Sequence, residues 1–487
     1  MDKYLHGITT SRDSDIVTSA QQTAGGIQVV IGSAPVNLLD DPEKAVNTPF
    51  LINSRADVKE TLGLSADYRY TLMQSVLASL QKHGVAPIIL INVLDPKKTE
   101  HVTAVASKEY ELIRGSVTIE EEGILLNSIK VSATGGDISA EADIDFTTAF
   151  DTNGYAVVAV SDDGKLSAAN KVNIAYTKLN PEGVTEGDII GGIDEAGVRT
   201  GIELVDEIYN RFEIIPEIIL APGYSRKPAV AAALEAKAEL AGDLTNAVAV
   251  LDLESETTVT LDKIVSAKNK LGVFSRWNVI CYPKVLMGGV EIYASAVAGA
   301  LLQKERADNN DVPVSPDNKE ALIEGLVLEG GKEVHYTQRQ VNEYLNANGI
   351  LSFVYMGGWK CWGNNTAAFP DDTDPNNRFI KNVMMSNYLE NRFKTEYLSQ
   401  IGSDADYKFI DSIVSGFNAT LNALVPSYVA GAEVVFDKDE NPISEILKGH
   451  FRFHTRYADY TPAEWLSNTF TWSSKILEEA LEGGSEE

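Results

Sequence analysis

His450 and His454 stand four residues apart, a spacing that on one helix face can hold a transition metal. The surrounding run, Phe451-Arg452-Phe453-His454-Thr455-Arg456-Tyr457, instead alternates with period two and reads as a strand. Both imidazoles then share a face with Arg452 and Arg456, whose charges disfavour a bound cation, so a solvated or interface face is expected. A serine nucleophile on a sharp strand-to-helix turn needs glycine on both sides. Gly223-Tyr224-Ser225-Arg226-Lys227 lacks the second one, and Ser225 is expected to cap the helix that follows. A phosphate loop fails at both ends, because Gly331-Lys332 is followed by Glu333 and the earlier glycine position holds Leu326. The first strand runs into Gly32-Ser33-Ala34-Pro35, which is no dinucleotide fingerprint.

Two acidic stretches, Asp371-Asp372-Thr373-Asp374 and Asp437-Lys438-Asp439-Glu440-Asn441, begin like calcium loops. The second places Pro442 where glycine is needed and Lys448 where a bidentate glutamate closes the site, so turn chemistry accounts for both. Cys281 and Cys361 are far apart and form no paired motif, which argues against a disulfide framework or zinc site. Trp359 and Trp362 read as core or interface anchors. The expectation is no catalytic residue, no metal and no cofactor.

With 487 residues and 44 % hydrophobic content, the chain can bury a sizeable core divided among several domains. Against 41 basic residues stand 70 acidic ones, and the net charge of -29 would repel nucleic acid and anionic membranes. The apolar runs are too short to span a bilayer and the start lacks a signal-peptide core, so a soluble product made in the cytoplasm is expected, with no direct membrane insertion.

The elements that would carry any site fall into five stretches. Residues 1–22 are polar without a helical period and read as an N-terminal extended arm. A short strand in Gly25–Pro35, a helix capped by Ser54 with Asp57, a helix closed by Gly84 and the strand Ala86–Leu94 begin an α/β unit. Residues 98–186 change texture to short alternating runs separated by turn dipeptides, the pattern of an inserted β domain, sandwich-like and on the outer surface. Strand and helix alternation resumes afterwards, so residues 23–97 and 187–358 together predict one core domain with a mixed, largely parallel sheet. Residues 359–468 read as a C-terminal α+β domain, and 469–487 as a C-terminal arm.

Several blocks, in order, resemble the contractile tail sheath proteins of myophages and R-type pyocins: Tyr4-Leu5-His6-Gly7-Ile8, Gly191–Gly201 (GGIDEAGVRTG), Ala221-Pro222-Gly223, Ser315–Lys319 (SPDNK) and Gly358–Thr366 (GWKCWGNNT). The likeness covers most of the chain outside the insertion. Family members often carry arginine where this chain has Asn365. The resemblance implies a non-enzymatic sheath subunit that stacks as hexameric rings around a tail tube. Its partners would be copies of itself, the tube protein and the baseplate and tail terminator proteins. It would belong to a virion tail or phage-tail-like particle assembled in the bacterial cytoplasm, a bacteriocin or other contractile injection system being the alternative. The remote alternative is a cytosolic α/β hydrolase, which would show a pocket with convergent polar groups. An unpaired strand at a chain end can extend a neighbour's sheet. Tyr4, Leu5, His6, Gly7 and Ile8, and Thr469, Phe470, Thr471, Trp472 and Ser473, are therefore the expected intersubunit arms. Arg378, Lys381, Arg392, Lys394 and Lys408 are the expected tube-facing charges.

Overall fold

The central strands of the largest sheet are short runs rich in Val, Ile and Leu without polar alternation, which is what burial on both faces of a parallel sheet requires. The computed structural model describes residues 21–22, 25–134, 139–255 and 260–482. Its largest sheet is eight-stranded and built from β1 (Gln28–Gly32), β2 (Pro49–Ile52), β3 (Ile88–Asn92), β4 (Ile218–Leu220), β5 (Val248–Asp252), β6 (Asn278–Cys281), β7 (Ile350–Tyr355) and β8 (Trp359–Trp362). Across the sheet the order is β8-β7-β6-β5-β4-β1-β3-β2. The strands from β7 to β3 in that order are parallel, and β8 and β2 close the two edges antiparallel. The hairpin from β7 to β8 carries the sheet past position 358, so its last strand lies in the stretch that the sequence reading gave to the C-terminal unit.

Local signals set the helix ends. Ser54 accepts from the Asp57 N–H and the Asp57 carboxylate accepts from the Ser54 N–H, a reciprocal cap that starts the helix Arg55–Thr61. The helical stretch Thr71–His83 stops at Gly84, whose φ of 61° suits glycine. Long helices at Pro228–Glu239 and Ala294–Asp308 pack on the sheet.

Between β3 and β4 the chain makes two three-stranded antiparallel sheets. One has Lys171–Leu179 between Val102–Glu111 and Lys130–Ala133, and the other has Ala156–Val160 between Ser116–Ile119 and Phe146–Phe150. Ile119, Phe146 and Val158 of one share a hydrophobic cluster with Val131, Val172 and Ile174 of the other, separate from the main core. A third cluster forms where Met385, Leu389, Phe417 and Leu421 of the helices Ile380–Tyr397 and Tyr407–Asn422 meet the antiparallel hairpin Val429–Val435/His454–Asp459. The first half of the helix Ile380–Tyr397 is planted in the main core through Ile380, Val383 and Met384, and its next turns belong to the third cluster.

A parallel sheet has two unlike edges, and the additions divide between them. The crossings into and out of the 98–186 segment sit at the carboxyl edge, where the Asp95 N–H donates to His101 Nδ1 at 2.9 Å. The C-terminal helices attach at the amino edge. There Asn391 Oδ1 accepts from the Asn246 N–H at 2.7 Å and the Asn387 amide donates to the Ala247 carbonyl at 3.0 Å, immediately before β5.

Candidate assembly surfaces

The carboxyl edge is where α/β enzymes place ligands, and an open cleft of about 890 Å³ lies there, lined in part by Gly223, Arg226, Lys284, Tyr293 and Glu329. Its two central cations are already matched. Arg226 pairs with Glu254 at 3.0 Å and Glu329 at 3.3 Å, and Lys284 with Glu291 at 3.4 Å. Ser225 is fully buried and does not cap the next helix, whose N-cap is Lys227. Its Oγ donates to Asp252 Oδ2 at 3.2 Å and accepts from the Asp252 N–H at 2.9 Å. Asp252 also accepts from Ser295 Oγ at 2.6 Å, the Ser295 N–H at 2.9 Å and the Gly223 N–H at 3.2 Å. Burial pushes its carboxyl above the ordinary range against those bonds. The cluster ties β5 to the loop after β4 and to the start of the helix Ala294–Asp308, a structural use of residues that resembled a catalytic motif.

At the root of the 98–186 segment, Asp188 accepts from Lys98, from the Thr185 N–H at 2.8 Å and hydroxyl at 2.6 Å, and contacts His101 Nε2 at 3.2 Å. Partial burial opposes ionisation, yet these partners together hold the carboxyl well below its ordinary value. The backbone donor on Nδ1 leaves Nε2 to carry the proton toward Asp188. Both crossings are thereby bound to each other.

The amino edge carries the C-terminal hairpin, a two-stranded sheet whose strands pair only with each other among the described residues. After Asp459 the chain leaves it as an irregular segment and then forms the helix Ser474–Glu482. This stretch is covered with exposed apolar groups: Trp465 (85 %), Leu466 (88 %), Phe470 (90 %), Trp472 (78 %) and Ile476 (69 %). Patches of that kind mark surfaces awaiting a partner. Thr469–Trp472 is exposed and Ser473 partly so, with neither helix nor strand, while Tyr4–Ile8 lies outside the described residues.

No family model matches the chain. Over 99 % of its length it is 26 % identical to the tail sheath protein of Burkholderia phage BcepMu, covering 99 % of that protein. In fold it is similar to the helical sheath of the anti-feeding prophage in its contracted state, with 14 % identity, a TM-score of 0.55 and coverage of 97 % of this chain and 100 % of the other. It is similar again to the PVC sheath complex of an extracellular contractile injection system in the contracted state, at 14 % identity and TM-score 0.56, covering 98 % and 99 %. The chain belongs to the contractile tail sheath family. It is a tail sheath subunit of a contractile tail or contractile injection system, in a family of structural, non-enzymatic proteins.

The sheath subunit's most specific block, Gly191–Gly201, is a small hairpin pairing Gly192–Ile193 with Arg199–Thr200. A Cβ at Gly191 would meet the Thr200 carbonyl oxygen at 1.9 Å, so the neck admits only glycine. Asp194 Oδ1 accepts from the Ala196 and Val198 N–H groups, shaping a tip that exposes Ile193 and Val198.

The five basic residues singled out by the sequence are dispersed. Arg378 reaches Glu464 at 2.6 Å and Asn365 Oδ1 at 2.9 Å and lies over the Phe369 and Phe379 rings. Lys381 is bound by Asp459 and donates to the Tyr460 carbonyl at 2.9 Å, and Lys394 donates to Asn246. Lys408 is exposed and Arg392 is about half exposed. Asn365 joins the Arg378–Glu464 pair through its amide at 3.3 Å. His450 precedes the strand, which begins at His454, so the two imidazoles do not share a strand face. Their nitrogens meet Glu445 at 2.9 Å and Glu440 at 3.3 Å respectively. The acidic loops are turns, with Asp372 Oδ1 accepting from the Asp374 N–H and Asp437 Oδ1 from the Asp439 N–H. Sequence reasoning missed Lys268, a buried ammonium that no periodicity distinguishes from its exposed neighbours.

Proposed function

We propose that this subunit polymerises as stacked hexameric rings around a tail tube, and that contraction of the stack drives the tube through a host envelope. The observation that carries this reading is the pairing, on one edge of the body, of a two-stranded hairpin with an exposed apolar chain end. Residues 1–20 of one neighbour and 469–487 of another extend that hairpin by backbone hydrogen bonds, which ask little of side chains; the expected arm stops short of position 22 because Gln21–Gln22 pair in parallel with Val85–Ala86 of their own chain. Contacts that do not close on themselves propagate along a helix. The anti-feeding prophage protein that this fold resembles forms a helical sheath with a contracted state, which fits such a lattice.

In this arrangement the 359–468 unit faces the tube, with the exposed Lys408 as the charge placed to meet it and Arg392, half exposed, held by the Tyr388 hydroxyl at 2.8 Å and by Glu396 at 3.9 Å. The 98–186 unit, fixed at the opposite sheet edge, is an outer sandwich-like domain, and residues 23–97 with 187–358 form the core. Baseplate and terminator proteins would bound the stack, and assembly would take place in the bacterial cytoplasm. The same lattice serves a phage tail or a phage-tail-like particle. Deleting residues 1–20 is expected to leave a folded subunit that forms no tubes by electron microscopy, and intact tubes from that truncation would sink the arm exchange.

A further inference from the structure

The Gly358–Thr366 block lies outside the C-terminal hairpin, yet it forms part of a cavity of about 490 Å³. Asn364 and Asn365 line it from this block, Asn342 and Asn346 from the helical turns before β7, and Asp317 and Trp465 complete the polar and aromatic lining. Side-chain amides present a donor beside an acceptor, which complements a main-chain peptide group whatever its side chain. Asn364 is 2 % exposed, and its Nδ2 has no hydrogen-bond partner among the described residues. An acceptor brought in by a second chain would satisfy this donor. The walls are held open by Lys268, whose ammonium donates to the carbonyls of Asn348 at 2.8 Å, Ala367 at 2.7 Å and Phe369 at 2.8 Å. That one side chain sutures the helical wall to the residues that follow the Gly358–Thr366 block.

The cavity also lies where the hairpin runs out. The last hairpin strand ends at Asp459, and Glu464 on the cavity lining is held there by Arg378. The intervening residues span at most about 18 Å when extended. A strand laid along the open hairpin edge and continued past its end is thus within reach of the cavity.

Resting on the arm-exchange reading, we propose that this cavity is a main-chain clamp that receives part of residues 1–20 of a second copy of the chain. Asn364 Nδ2 donates to a carbonyl of the entering segment and the exposed Trp465 indole covers it, while Asn342, which accepts from the Trp362 indole at 2.7 Å, and Asn365, bound to Arg378 and Glu464, fix the walls.

The test uses the full chain carrying Asn364→Leu or Trp465→Ser. Leucine is close to asparagine in size and removes a donor that is unsatisfied in the free subunit, so N364L is expected to melt no lower than wild type. Trp465 is exposed, so W465S is expected to fold normally. Both are expected to raise the critical concentration for tube formation at least about tenfold, because main-chain recognition is lost. In whatever tubes form, amide exchange protection of residues 1–20 should disappear. Wild-type critical concentration and wild-type protection in both variants would overturn the clamp and leave arm exchange standing. Tubes formed by the chain lacking residues 1–20 would overturn both.

Discussion

His83 ends the helical stretch Thr71–His83 and is buried, with Nε2 unpaired. Burial pushes its pKa down to about 4, against a backbone hydrogen bond at Ala321 that favours the charged ring. An unfolded imidazole titrates near 6.5, so between about pH 6.5 and 4 the unfolded chain binds a proton that the folded one refuses. Stability is therefore expected to fall as pH drops through that window, by up to roughly 3 kcal/mol at its lower end. Denaturant unfolding of the free subunit at pH 7 and pH 4.5 checks this, and His83→Gln should flatten the difference. Asp188 does not confuse the measurement. Its carboxyl is lowered, so its contribution is complete above the unfolded carboxylate value and is lost only at more acid pH. An unchanged pH slope in the variant would assign the loss to other groups.

At the scale of elements, the segment after the C-terminal hairpin is the one whose composition and surroundings disagree. The helix Ser474–Glu482 is short, and Ile476, Leu477 and Leu481 face solvent. Short helices draw their stability from tertiary packing. A chain ending at Asn468 is accordingly expected to unfold within about 0.5 kcal/mol of wild type, because it loses little internal burial. Microscopy should show no tubes from it, and a clear loss of monomer stability in calorimetry would mean that the segment serves its own subunit. Other elements were legible in advance for local reasons. Ser54 with Asp57 and the glycine at position 84 are chemistry contained within a few residues, and both ended helices where expected. Ser225 was misjudged because its partner, Asp252, belongs to the next strand.

For the whole molecule, the net charge of -29 opposes association of like subunits. Screening shortens that repulsion to about 8 Å at physiological ionic strength. The critical concentration for tube formation is therefore expected to fall severalfold as salt rises from about 50 mM to about 500 mM, where the screening length is far shorter. Light scattering across a salt series reads this directly. A rise instead would mean that intersubunit ion pairs outweigh the net repulsion. The separation of the 98–186 segment and the C-terminal hairpin onto opposite edges of one parallel sheet also belongs to this scale, since it depends on strand direction alone.

By itself the sequence determined the alternation of strands and helices, the change of texture between residues 98 and 186, the polar start and the family-like blocks. Each is a matter of periodicity or short spacing, which the backbone enforces locally. Only the tertiary structure decided that β8 closes the main sheet, that Ser225 serves a buried aspartate, that Arg378 and Lys381 are spent on internal partners, and that Asn364 and Lys268 shape one cavity. Those facts join residues far apart in the chain, and neither hydrophobic pattern nor turn chemistry encodes which distant strands and carbonyls will meet.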